Sequence, residues 1–87
     1  MTYRLRVARG AARSIAEELP EPVAAAVVEF VNGDLLMNPR RVGKPLREPL
    51  EGLWSARRGQ YRVLYRIDDA AGTVTVVEAS HRRDAYR

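Results

Sequence analysis

Leu53-Trp54-Ser55-Ala56-Arg57-Arg58 and Tyr61-Arg62-Val63-Leu64-Tyr65-Arg66-Ile67 stand on either side of Gly59-Gln60. A Gly-X pair suits a two-residue turn of the mirror-image type, so residues 53–67 are expected to fold back as an antiparallel hairpin. With Arg58 facing Tyr61 across that turn, Ala56 faces Val63 and Trp54 faces Tyr65, which puts the large apolar residues on one side of the sheet. The other side then carries Arg57 beside Arg62, Ser55 beside Leu64 and Arg66 beside Leu53. Like charges set directly across strands are destabilising, so an Arg57–Arg62 pair points to an anion that sits between them.

Working outward, Asp68-Asp69-Ala70-Ala71-Gly72 makes the next turn, and Thr73–Ala79, the most β-branched stretch of the chain, is expected to be the fourth strand. His-Arg-Arg-Asp-Ala-Tyr-Arg closes the sequence as a charged tail. Upstream, residues 38–50 hold three prolines and a glycine without any period and are expected to be a basic loop. Ala12, Ile15, Ala16 and Leu19 recur at helical spacing, as do Val23, Ala26, Val27, Phe30 and Val31. Between them, Pro20 stops one helix and Pro22 suits the first turn of the next. The second helix is expected to run to Met37-Asn38-Pro39. Tyr3, Leu5 and Val7 alternate with Arg4, Arg6 and Ala8, the period of a short strand with one buried face. The expected fold is therefore α+β in one domain, residues 1–87. It has an N-terminal strand, a two-helix hairpin and an antiparallel three-strand meander, with the helices on one face of a mixed sheet.

Eighty-seven residues leave no room for a second core, and 46% hydrophobic with 30% charged residues is the composition of a packed domain. Absence of cysteine removes disulfides and thiolate metal sites and fits a reducing compartment. Residues 1–8 alternate instead of forming a signal peptide's apolar run, and no stretch approaches transmembrane length, so a cytoplasmic protein without membrane contact is expected. One histidine and no cysteine make a metal site or other cofactor unexpected.

The net charge of +4 is built from one lysine, Lys44, and fourteen arginines. Arginine's planar fork grips phosphate oxygens in pairs and stacks on bases, although arginine-rich codon usage produces the same count. Position adds to the argument: residues 14–38 carry five acids and no base, whereas residues 39–66 carry eight bases against Glu48 and Glu51. An acidic half opposed to a basic half is the charge layout of a polyanion-binding surface.

The run Gly59-Gln60-Tyr61-Arg62-Val63-Leu64-Tyr65-Arg66-Ile67-Asp68, the β strand after it and the tail His81-Arg82-Arg83-Asp84-Ala85-Tyr86 together resemble the RelE/ParE superfamily of bacterial toxins. The resemblance extends over nearly the whole chain, including Pro45-Leu46 and Pro49-Leu50-Glu51-Gly52-Leu53-Trp54. It implies a sheet of about four strands and a toxin of a type II toxin–antitoxin system, with a cognate antitoxin as partner. In the RelE-like branch the target is messenger RNA in the A site of the 70S ribosome; in the ParE-like branch it is DNA gyrase, on the same fold. A degenerate toxin that only binds RNA is the third reading.

Cleaving RNA without metal requires an in-line 2′-hydroxyl attack, a group to accept its proton, a cation for the developing phosphorane charge and an acid for the departing 5′-oxygen. Under the resemblance, Arg62 binds the scissile phosphate, Tyr86 stacks on a base and Arg82 stabilises charge at the leaving group. His81, the one side chain whose ordinary pKa of about 6.5 suits proton transfer, completes the catalytic candidates. Lys44, Arg47, Arg57 and Arg58 are the expected RNA-binding residues. RelE-like toxins carry lysines on the strand before the Tyr-Arg strand, and the matching positions here are Leu53 and Ser55, which leaves the general base unassigned.

Overall fold

A computed structural model of the chain describes residues 2–81. Five strands form one mixed sheet in the order β1-β5-β4-β3-β2, where β1 is Arg4–Val7, β2 Lys44–Pro45, β3 Trp54–Arg58, β4 Tyr61–Asp68 and β5 Thr73–His81. β1 runs parallel to β5 and every other pairing is antiparallel. The hairpin register is the one expected from the turn: Arg58 pairs with Tyr61, Arg57 with Arg62, Ala56 with Val63, Ser55 with Leu64 and Trp54 with Tyr65. Gly59 supplies the positive φ, 53°, that the turn requires.

Three details differ from the expectation. The basic loop contains a fifth, two-residue strand, β2, whose pairing onto β3 is a tertiary contact that no local period announces. The first helix begins at once after β1 as α1 (Arg9–Arg13) and ends in a single π turn, Ser14–Glu18, closed by the Leu19 amide donating to the Ser14 carbonyl. The second helix, α2 (Glu21–Asn32), breaks at Gly33, whose φ of −116° and ψ of −100° leave the helical region, and resumes as α3 (Asp34–Met37). Among the described residues no helix is long and apolar enough to cross a membrane.

The helical segments carry the chain from the β1 edge of the sheet to the β2 edge, and they cover one sheet face. Val27, Val31, Leu35, Ala56, Val63, Tyr65, Val74 and Val76 are at most 2% exposed and form one cluster, with Phe30 and Tyr61 packed at 6.2 Å between ring centres. Val23, Val27, Phe30 and Val31 supply the α2 stripe read from the sequence.

Arg40, Asp69 and Tyr3 tie the loop after α3 to the β4–β5 turn and the start of β1. The Arg40 guanidinium lies 2.6 Å from the Asp69 carboxylate, to which the Tyr3 hydroxyl also donates. These hydrogen bonds, the one from Arg40 first, hold the Asp69 carboxyl below its usual range. A lowered folded-state pKa gives stability that is present above the unfolded value of about 3.9 and is lost as pH falls through the folded one. Asp69→Asn should therefore flatten the acid side of a plot of melting temperature against pH. An unchanged acid limb would mean that the cluster contributes nothing to stability.

Candidate nucleic-acid interface

The sheet face turned away from the helices is read off the register. One row across it runs Lys44, Ser55, Leu64, Glu78; the next holds Arg57, Arg62 and Ser80. Toward the other end lie Arg66, Thr75 and Arg6, then Asp68, Thr73 and Arg4. Among the described residues, six cations therefore share this face with two carboxylates. Arg66 reaches over Gly52, where an added Cβ would come within 3.1 Å of its guanidinium. Asp68 is committed to its turn, accepting a hydrogen bond from the Ala71 amide at 3.0 Å.

Arg62 occupies the middle of the face on β4, flanked on both sides by strands. Its side chain is only 29% exposed and its Nε is buried without a hydrogen-bond partner. Ser80, directly across on β5, likewise has a buried and unpartnered Oγ. The Arg62 Nη2 stands 3.4 Å from Glu78 Oε1, a long ion pair that leaves the Nε–H unsatisfied. A buried donor without an acceptor costs about 1–3 kcal/mol, and more on a charged group. An anionic oxygen placed between Arg62 and Ser80 would relieve this cost.

Beside this centre a groove of about 470 Å³ follows the β2 edge, lined by Arg41, Gly43, Lys44, Ser55 and Arg57 among others. Pairing of β2 with β3 sets Lys44 against Ser55, so the neighbouring strand brings a cation to a position where β3 itself has none. Gly43 floors the groove where backbone and core meet: an added Cβ would collide with the Tyr65 hydroxyl and lie 2.8 Å from the Ser55 carbonyl oxygen. Overpacking of this kind costs roughly 1–3 kcal/mol. Gly43→Ala should lower the melting temperature, measured by thermal denaturation. An unchanged melting temperature would show that this contact yields without cost.

The remaining expected site residues are placed differently. Arg58 lies on the helix side, 4.7 Å above the Phe30 ring and 3.8 Å from Asp34, in a separate hollow with Glu29 and Tyr61. His81 pairs with Tyr61 at the end of β5, so the register sets it on that same side and does not bring it to Arg62. Arg47 is exposed in the loop after β2. Arg82 and Tyr86 lie outside the described residues.

Glu78, Ser80, Arg41, Arg4 and Arg6 are additions that sequence reasoning did not make. The strand alternation already turned Arg4 and Arg6 away from the core, and only the parallel register joins them to this face. Glu78 and Ser80 depend on a β-bulge: pairing shifts between Leu64 and Tyr65, so that Tyr65 faces Val76 while Leu64 faces Glu78 and Val77 is skipped. Bulges re-aim side chains in this way. The Val76-Val77 doublet is the sequence trace of the phase change, since uninterrupted alternation from buried Val74 and Val76 would drive Glu78 into the core.

Among the described residues no group of three or more His, Cys, Asp or Glu side chains is arranged to hold a metal ion. Residues 6–86 match the family model described as the ParE toxin of type II toxin–antitoxin systems. Toxin RelG of Mycobacterium tuberculosis is 53% identical over 87 residues, all of this chain and 99% of that protein. Toxin RelE of the same organism is 53% identical over 85 residues, 98% of this chain and 87% of that protein. The toxin–antitoxin complex RelBE2, also from M. tuberculosis, contains a chain that superposes with a TM-score of 0.91 at 51% identity, over 94% of this chain and 100% of that one.

Proposed function

The chain belongs to the RelE/ParE family of type II toxin–antitoxin toxins, and on that premise we propose that it is a metal-independent endoribonuclease that cuts messenger RNA during translation. The observation that carries this reading is the pair of buried, unpartnered polar atoms, Arg62 Nε and Ser80 Oγ, side by side at the centre of a cationic sheet face. A gyrase-binding surface needs charge but has less use for a partly buried guanidinium whose Nε lacks an acceptor. A scissile phosphate has that use, because preorganised donors stabilise the charge that develops on its oxygens.

In this mechanism Arg62 and Ser80 hold a non-bridging oxygen, while Lys44, Arg41 and Arg57 guide the neighbouring backbone along the groove. Arg82 stabilises charge at the departing oxygen, and Tyr86 stacks on a base, a contact worth about 1–3 kcal/mol. Arg47 adds long-range attraction from its loop. His81, on the other side of the sheet, is left without a step. Attack by the 2′-oxygen gives a 2′,3′-cyclic phosphate and a 5′-hydroxyl. The ribosome's part is to hold the message bent for in-line attack, since correct placement contributes roughly 7–11 kcal/mol. A cognate antitoxin, as in the RelBE2 complex, would silence the protein by covering this face and the helices.

Mapping transcript 5′ ends in cells that express the chain tests the proposal. New ends confined to translated regions are expected. Unchanged transcripts alongside gyrase trapped on broken DNA would give the protein the ParE-like target instead.

A further inference from the structure

The geometry points to Glu78 as the general base that accepts the proton of the attacking 2′-hydroxyl. This assignment rests on the ribonuclease reading and names the group that reading lacked. Lysine and arginine in their usual protonated state cannot accept a proton. Of the described carboxylates on the open face, Asp68 is bonded to its own turn, and His81 stands on the opposite side. Glu78 remains, half-exposed, with Oε1 3.4 Å from the Arg62 guanidinium. A phosphate held by Arg62 therefore presents its adjacent ribose to this carboxylate.

The fold reaches this arrangement by a device. Only the bulge at Val77 turns Glu78 onto the open face, and the same shift sets Ser80 against Arg62. The charged groups that face Glu78 are Arg62 and Arg66 from β4, Arg57 from β3, Lys44 from β2 and, beyond the end of its own pairing, Arg6 from β1.

In the step itself the Glu78 carboxylate takes the 2′-hydroxyl proton as the 2′-oxygen bonds to phosphorus. The bond from phosphorus to the 5′-oxygen breaks, that oxygen leaves with the electron pair, and solvent water protonates it. Hydroxide so formed is neutralised by the proton that Glu78 then releases. No oxidant, reductant or further reactant is required.

Glu78→Gln keeps the shape and removes the basicity. Single-turnover cleavage of a message in a translating extract should fall about 100-fold or more, the range of a general base. RNA binding measured by anisotropy should be equal or tighter, because a negative charge has gone. The acid limb of the wild-type rate against pH should vanish in the variant, and Glu78→Asp should recover part of the rate. A Glu78→Gln protein that cleaves as fast as wild type, or that keeps the acid limb, overturns the assignment alone. A wild-type protein that leaves the message intact overturns the ribonuclease reading and the assignment with it.

Discussion

Arg62→Ala is expected to abolish growth arrest while leaving the protein folded. The guanidinium lies on the sheet face opposite the helices, with one long ion pair to Glu78 as its hydrogen-bonded contact. Little of the core depends on it. Its removal also relieves the burial of an unpartnered Nε, so the melting temperature should hold or rise slightly. What is lost is charge stabilisation in the transition state, for which removal of one well-placed donor costs about 100- to 1,000-fold in rate. Growth curves and thermal melts on the same variant decide the matter. A folded Arg62→Ala that still arrests growth would remove Arg62 from the chemistry. An unfolded one would show that the open face is structural.

Tyr65→Ala should be the most destabilising single change in the chain. Tyr65 is fully buried, stacks at 6.5 Å on Trp54 and donates its hydroxyl hydrogen to the Pro39 carbonyl, thereby fastening the loop before β2 to the core. Truncation of a buried aromatic residue costs about 3–5 kcal/mol, a large share of the roughly 5–15 kcal/mol that holds a domain together. Tyr65→Phe isolates the hydroxyl and should cost about 1–3 kcal/mol by leaving that carbonyl unpaired. Burial pushes the Tyr65 hydroxyl up to about 12. A raised folded-state pKa gives stability that is complete below the unfolded value of about 10 and is lost as pH rises through the folded one. Denaturant melts between these pH values should show an alkaline loss in wild type that is smaller in Tyr65→Phe. Equal losses in the two proteins would mean that other groups set the alkaline limit.

The β3–β4 hairpin was legible to the last pair because a two-residue turn fixes register and a period of two then assigns every side chain to a face. From that alone came the Arg57–Arg62 juxtaposition and the helix side, whereas the family resemblance also needed the β5 strand and the His81–Tyr86 tail. Contacts made at long range were not legible. Lys44–Pro45 became a strand only by pairing with β3, and Gly33 broke a helix whose apolar stripe continues through Leu35 and Leu36. The bulge at Val77 mattered most for the site, since it moved Glu78 and Ser80 to the open face and carried His81 to the other. A lone histidine beside a Tyr-Arg strand is chemically attractive on paper. One residue of phase decides which side of the sheet it occupies.

RNA cleavage on the open face during translation can be followed by adding the purified protein to a translating extract with a defined message, with and without a metal chelator. Cleavage products would be identified by the chemistry of their ends. Cuts within the translated region that persist under chelation and leave a 2′,3′-cyclic phosphate and a 5′-hydroxyl are expected, with none from Arg62→Ala. Chelator-sensitive cutting, 5′-phosphate ends, or an intact message in the presence of folded wild-type protein would contradict this mechanism.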